Sequence, residues 1–325
     1  MESFEYANPA TLQEAVGLLG AKWGDADVLA GGTDLLSLMK DHLHTPKRVV
    51  NIKNIKELEG IQKTDAGLRI GALVTMEELA NHADVRAGYK LLSDAAAGIT
   101  SPQIRNMGTV GGDLCQRPRC WYYRQGFGLL GMKDGRPLIP GGENQYHSIF
   151  GSGPAYFVSP SSLGPALVAL GAKVKLVSAK GPREVPAASF FLVPQNETSR
   201  EIALHPDEIL TEILIPAGAV KSSTYEVRQK DALDWPLAAA SVVLHMRGNT
   251  VASAKVVLGH VAPKPWDSPD AAKALAGKAI TADTAEAAAK AAVAGAQPLS
   301  QNAYKVQLAK VAVKRALLEA AKQKG

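Results

Sequence analysis

Residues 103–115 read QIRNMGTVGGDLC. Gly111 and Gly112 stand side by side in a polar stretch with Arg105, Asn106, Thr109 and Asp113, and Cys115 and Cys120, the chain's two cysteines, follow. Glycine is used where φ is positive or where something approaches the main chain closely. The stretch is therefore a tight turn or a place where a ligand lies against backbone. A second pair, Gly31–Gly32, lies in LAGGTDLLSLMK at 29–40 and is again followed by residues able to cap a helix, Thr33 and Asp34. Neither pair has the spacing of the dinucleotide fingerprint GxGxxG or of the Walker P-loop. One glycine turn is ordinary punctuation. Two with the same sequel call for a common explanation.

Around the first pair, Thr11 and Glu14 have capping-box spacing and open a short helix with an apolar stripe of Leu12, Ala15, Val16 and Leu19. Residues 28–30 and 48–52 read as strands on either side of a helix carrying Leu35, Leu36, Leu38 and Met39, a small α/β unit. Next come a strand that enters a helix at Thr75 and a single helix over 83–99. Residues 116–153 are rich in glycine, aromatic and basic residues and show neither a strand nor a helix period. An irregular segment of that length inside a compact domain is uncommon and often functional. Residues 155–179 restore strand, turn, apolar helix and strand, and 208–216 form a further strand. Beyond 218 the pattern alternates, turns at Gly248–Asn249 as a hairpin does, and ends in helices at 267–276, 282–294 and 301–322. The last helix presents Val306, Leu308, Val311, Val313, Leu317 and Leu318 as its stripe, and Lys305 to Lys314 read as a solvated basic face. The fold class is α+β, in three units: 1–57, 58–218 with the irregular insert 116–153, and a C-terminal sheet covered by helices over 219–325.

At 325 residues, 46% hydrophobic and 21% charged, the chain is long enough for several cores and has the composition of a globular protein. The net charge of +5 is dispersed, with no concentrated basic patch to suggest nucleic acid. No apolar run approaches the ~18 residues of a membrane span, and residues 1–16 carry no secretory pattern. The expected compartment is the cytoplasm, or the periplasm if a partner's signal exports the complex. His42 and His44, spaced i, i+2, do not face one way on a helix. No HExxH, GxSxG or CxxC motif is present.

LAGGTDLLSLMK at 29–40 followed by QIRNMGTVGGDLC at 103–115 resembles the FAD-binding subunits of the molybdenum hydroxylases, the group of xanthine dehydrogenase, aldehyde oxidoreductase, carbon monoxide dehydrogenase and 4-hydroxybenzoyl-CoA reductase. The likeness runs over the whole chain. It implies two FAD-binding lobes, 1–57 and 58–218, and a C-terminal domain. Ala30, Gly31, Gly32, Thr33, Asp34, Leu35 and Leu36 would wrap the FAD diphosphate with main-chain N–H groups. Thr109, Gly111, Gly112 and Asp113 would form a second cradle, where a Cβ on either glycine would push the cofactor away, with Ile104 and Asn106 lining the approach. Ser162 and Leu163, in SPSSLGP, match the loop beside the adenosine or ribityl end. Arg228, in VRQKDALDWP, falls where the family commonly has a lysine near the flavin, and Asp234 to Leu237 would lie close to the isoalloxazine.

The resemblance also implies that the chain oxidises no organic substrate itself. Its flavin would take electrons from [2Fe–2S] clusters in a partner chain, fed by a molybdenum cofactor in another, and pass them to an external acceptor such as ferredoxin, a quinone, dioxygen or a dye. The rival readings are a self-sufficient FAD-dependent oxidase or reductase on a related two-lobed fold, and a protein using the glycine turns for another nucleotide. CQRPRCWYYR, at 115–124, most resembles periplasmic aldehyde oxidoreductase flavin subunits. There, and in the 4-hydroxybenzoyl-CoA reductase type, an insert in this region carries a [4Fe–4S] cluster, normally held by four thiolates. With only Cys115 and Cys120 available, the expectation is no metal site. Cys115 packs as a small apolar residue, Cys120 is a free thiol, and Trp121, Tyr122, Tyr123, Phe127 and Phe150 hold the insert.

Overall fold

The computed structural model describes residues 1–99, 101–151, 153–218, 220–230 and 233–323. The expected start of the third unit, Ala219, lies outside the described residues.

The chain first forms a parallel three-stranded sheet, with Arg48–Asn51 between Glu5–Ala7 and Ala26–Leu29. Parallel neighbours need crossovers, and the helices Leu12–Gly17 and Leu35–Lys40 supply them. Thr11 and Glu14 close the capping box read from the sequence.

The second sheet has five strands in the order Ile61–Thr64, Gly67–Gly71, Ile209–Pro216, Lys173–Ser178 and Gly181–Pro186, all antiparallel. Ile209–Pro216 enters between strands formed much earlier and closes the unit, so the glycine stretch and the insert belong to one long excursion from this sheet. Helices Met76–Asn81, Lys90–Ala97 and Leu163–Ala169 lay Leu79, Leu91, Leu92 and Leu167 on its Ile70, Val174 and Ile213. Thr75 closes a second capping box at the strand-to-helix junction. The single helix expected over 83–99 is two, Ala83–Gly88 and Lys90–Ala97. Tyr89 lies between them at φ −138° and ψ 50°, a turn that buries its ring in the core.

The third sheet runs Lys221–Arg228, Pro236–Arg247, Thr250–Gly259 and Trp266–Asp267, antiparallel throughout. Its hairpin turns at Gly248, φ +60°, as the sequence indicated. Helices Pro269–Leu275, Ala282–Val293 and Tyr304–Lys322 cover it. The buried stripe of the last helix is Lys305, Ala309, Ala312, Val313, Ala316, Leu317 and Ala320. The expected Val306, Leu308, Val311 and Leu318 are only partly buried and flank it. Alanine at the contact positions lets the helix lie close on the sheet, and the larger side chains fill the margins.

The insert is less irregular than its sequence. It contains a helical turn, Trp121–Arg124, and a small hairpin, Met132–Lys133 with Arg136–Pro137. Its far end is built into the third unit: Ile149 and Phe150 belong to that unit's core, and the Phe150 ring stacks on Trp266 at 5.0 Å. Trp121 donates to the Glu143 carbonyl at 3.2 Å, the Glu143 N–H donates to the Tyr122 hydroxyl at 2.8 Å, and Tyr123 is buried. Among the described residues no helix is long and apolar enough to cross a membrane.

Candidate functional site

Both glycine pairs lie at the N-terminal ends of short helices, Leu35–Lys40 and Val110–Cys115. The four glycines serve different ends. A Cβ on Gly31 would stand 1.7 Å from the carbonyl oxygen of Met107, so this glycine lets the two turns touch backbone to backbone. Gly32 has φ +75°, a conformation other residues rarely adopt. Gly111 is buried, its N–H donates to the Ala72 carbonyl at 2.9 Å, and a Cβ there would meet Ala72 at 2.9 Å. Its small size serves packing on the second sheet, which corrects the expectation that a Cβ there would displace a ligand. Gly112 is exposed, and a Cβ on it would meet only the Thr109 hydroxyl, at 3.0 Å.

Two cavities meet at these turns and share Thr33, Asp34, Thr109, Gly112 and Gln116. The larger, about 490 Å³, runs past Met76, Ile104, Asp113 and Ser162 to Arg119, Arg124, Trp235 and Pro236. The smaller, about 150 Å³, runs past Ala30, Gly31, Gly32 and Leu35 to Trp23 and Arg200. An elongated ligand with a polar middle fits this shape, its middle at the two turns.

The charges were only partly legible. Asp34 holds the N-cap position of its helix but caps nothing with its side chain. Its carboxylate accepts from the Arg117 N–H at 2.7 Å, from Arg124 at 2.8 Å and from Arg119. Burial works against the charged form, yet Arg119, the Arg117 N–H and Arg124 outweigh it and hold the Asp34 carboxyl below its ordinary value. Arg119 and Arg124 thus stand with Asp34 on the wall of the larger cavity, which Asp113 also lines. The expected cation, Arg228, is not on that wall. It pairs with Glu226 and donates to the Gly98 carbonyl. The signal missed was the run of arginines at 117, 119 and 124 just beyond the second glycine pair.

Asp113 points away from solvent. Its carboxylate accepts from the Ser161 hydroxyl and from the Leu163 N–H at 3.3 Å, which ties the glycine stretch to the helix after Ser162. Burial pushes its carboxyl up to about 6. Ser162 lines the cavity, whereas Leu163 is fully buried behind it. Ile104 lines it and is half exposed. Leu36 is exposed and lines neither cavity. Asn106 donates to the Pro102 carbonyl at 2.8 Å and lines a separate depression beside Gly31 and Met107.

Cys115 packs against the core of the second unit, where burial pushes its thiol up to about 12. Cys120 faces His147, Sγ to Nε2 3.2 Å, beside a third cavity. The lysine expected on a solvated face is buried there too. Lys305 Nζ donates to the carbonyls of Tyr146, His147 and His260 at 3.2, 3.1 and 2.8 Å. Burial brings its amine down to about 7, against the three carbonyls that hold the ammonium. Burial, with the Lys305 charge, lowers His147 to about 4 and His260 to about 3.

These imidazoles make the fold acid-sensitive. Below their ordinary value of 6.5 the unfolded chain takes up two protons that the folded chain refuses. Stability present above that pH is lost as pH falls towards the folded values, each group contributing a slope of about 1.4 kcal/mol per pH unit. Asp113 and Glu226, whose carboxyls burial raises in the fold, oppose this and make the fall shallower. The denaturant midpoint should therefore fall between pH 7 and 5, and His260→Asn should flatten the fall. A midpoint that rises on acidification contradicts this account.

The FAD binding domain in molybdopterin dehydrogenase matches residues 2–218, and the CO dehydrogenase flavoprotein C-terminal domain matches residues 223–320. The chain is a flavin-binding subunit of the molybdenum hydroxylase family. This flavin subunit is 33% identical over 320 residues to the carbon monoxide dehydrogenase medium chain of Hydrogenophaga pseudoflava, covering 97% of this chain and 96% of that one. It is 32% identical over 330 residues to the aldehyde oxidoreductase FAD-binding subunit PaoB of Escherichia coli, covering 99% and 100%. Among solved structures, carbon monoxide dehydrogenase from Hydrogenophaga pseudoflava superposes with a TM-score of 0.76 at 32% identity, over 98% of this chain and 97% of that one. Quinoline 2-oxidoreductase from Pseudomonas putida gives 0.77 at 26%, over 99% and 98%. The flavin subunit thus has the mixed helix-and-sheet architecture expected.

Proposed function

We propose that the chain binds FAD non-covalently along the two joined cavities, receives electrons from iron–sulfur clusters of a partner chain in a molybdenum hydroxylase complex, and passes them to an external acceptor. The observation that carries the first part is the meeting of the cavities at the two glycine turns. FAD has its diphosphate in the middle, and the turns offer backbone N–H groups and the Thr33 and Thr109 hydroxyls there. The smaller cavity then takes the adenosine end. The larger takes the flavin end, reaching Trp235 and Pro236.

Arg119 and Arg124 supply the positive charge that favours a diphosphate or a reduced flavin. Gly31 lets the two turns close on each other, Gly32 takes the left-handed backbone of the first turn, and the buried Asp113 positions Ser162 through the Leu163 N–H. Bound FAD supplies the exchange of single electrons with clusters and of electron pairs with an acceptor. The relatives' names, medium chain and FAD-binding subunit, support a place in a multi-subunit enzyme.

The purified chain should carry one FAD and leave aldehydes and purines untouched. Co-expressed with iron–sulfur and molybdenum chains, it should co-purify with them, and substrate should then reduce its flavin. A colourless chain overturns the binding reading. Substrate turnover by the pure chain would make it a self-sufficient oxidase.

A further inference from the structure

Charged side chains of both signs gather around the larger cavity of the FAD site. Asp34, Asp113, Arg119 and Arg124 line it. Glu226 and Arg228 stand behind Gly98, another residue of its wall, where an added Cβ would lie 2.9 Å from Glu226 Oε2 and 3.1 Å from Arg228 Nη2. Three carboxylates thus accompany three guanidinium groups, and the pairing is unequal. Asp34 holds both Arg119 and Arg124, and Glu226 holds Arg228. Asp113 is left to neutral donors: the Gln116 side-chain amide at 3.0 Å, the Leu163 N–H at 3.3 Å and the Ser161 hydroxyl. The cation that acts on it, Arg119, is engaged by Asp34. Ser162, also on the wall, turns its N–H towards Asp113 and its hydroxyl towards Glu226, so the two acids share one neighbour.

With all six ionised, this set of charges is balanced. A flavin that takes two electrons and one proton becomes an anion and upsets the balance, at a low-dielectric site where an uncompensated charge is costly. The cheapest remedy is to protonate a carboxylate. Protonating Asp34 or Glu226 would break charge-assisted bonds to guanidinium groups, which are the strong kind. Asp113 gives up no such bond, and as a neutral acid it still accepts from the Leu163 N–H. Burial works the same way and pushes its carboxyl up to about 6, whereas Asp34 is held below its ordinary value. Burial raises Glu226 too, but against the Arg228 contact. The neighbouring Cys115 thiol, pushed up to about 12, stays uncharged throughout.

We propose that Asp113 is a redox-linked proton site, which takes up a proton when the bound flavin is reduced and releases it when the flavin is reoxidised; the inference rests on the FAD reading above. The step balances. Two electrons come from the partner chain's clusters. One proton from water goes to the flavin and a second to the Asp113 carboxylate, so the charge brought in as electrons is matched by the charge taken up as protons. On reoxidation the electron pair leaves for the acceptor, and both protons leave with it or return to water.

The test is anaerobic potentiometric titration of the FAD-loaded chain, with redox dyes as mediators, repeated from about pH 6 to about pH 9. Where Asp113 titrates, two protons accompany the electron pair in the wild type and one in Asp113→Asn. Each pH unit then lowers the equilibrium constant for reduction about a hundredfold in the wild type and about tenfold in the variant, or about 60 mV against about 30 mV for a two-electron couple. The two plots should meet at low pH, where Asp113 holds its proton in both redox states, and part as pH rises. Reduced-minus-oxidised infrared spectra of the wild-type chain, grown with aspartate isotopically labelled at its side-chain carboxyl, keep the test open if the variant fails to fold or to load FAD. Reduction should bring up the C=O band of a protonated carboxyl, and the label should shift it. Equal slopes in a yellow variant overturn the proposal. So does a missing band or one that ignores the label, which assigns the second proton to the flavin or to Glu226. A colourless wild-type chain refutes the FAD reading, and this proposal with it.

Discussion

Gly31→Ala is expected to strip the chain of its FAD and to lower its stability by about 3 kcal/mol, the upper end of overpacking penalties. The added Cβ would stand 1.7 Å from the Met107 oxygen and 2.7 Å from its carbonyl carbon, both backbone atoms that no rotamer change can move. The two turns must part, and with them the meeting point of the two cavities. Gly112→Ala separates the two consequences. Its Cβ would meet only a threonine hydroxyl, at 3.0 Å, so the fold should keep its stability while FAD affinity falls, because the exposed face of Gly112 is cavity wall. Flavin absorbance after gel filtration and denaturant midpoints measure both. A yellow Gly31→Ala protein of unchanged midpoint would sink the account of the paired turns.

Lys305→Met should be the most damaging substitution among the basic residues of the last helix. It removes three donors at once and leaves the carbonyls of Tyr146, His147 and His260 buried without them. At about 1–3 kcal/mol for each orphaned acceptor, offset by relief of the buried charge, the net loss is about 3 kcal/mol. Lys310→Met, which breaks only an ion pair with Glu286 at 3.2 Å, should stay within about 0.5 kcal/mol. Urea denaturation followed by tryptophan fluorescence distinguishes them. Equal midpoints would mean that water replaces the Lys305 amine without loss.

The contrast between these lysines shows where reading the sequence stops. Both sit in one basic helical run, and periodicity alone assigns both to solvent. What buries Lys305 is the far end of the insert, whose carbonyls reach it from more than a hundred residues away. Local signals survived well. Thr11 and Thr75 close their capping boxes, and Gly248–Asn249 turns its hairpin, because each is a contact within a few residues. The glycine pairs were legible as a site, but which glycine serves the ligand and which the packing was not. That depends on Ala72 and Met107 lying opposite. Asp34 has a capping residue's sequence and a counter-ion's structure, since its partners come from the insert. Arg228 was placed by resemblance, and Glu226, two residues away on the same strand, neutralises it.

The insert's anchoring also sets an order in time. Asn144 and Gln301 exchange hydrogen bonds across 157 positions, Gln297 donates to the Ile149 carbonyl, and Asn302 donates to the carbonyls of His147 and Ser148. On the ribosome, residues 144–150 therefore emerge well before the segment that seats them. At 5–20 residues per second the wait is roughly 8–30 s. Through it Ile149 and Phe150 have no core to enter. A message cut short of the last helix would yield a chain with both glycine turns intact and its insert loose, so the tail of the polypeptide decides when the flavin side of the molecule is finished.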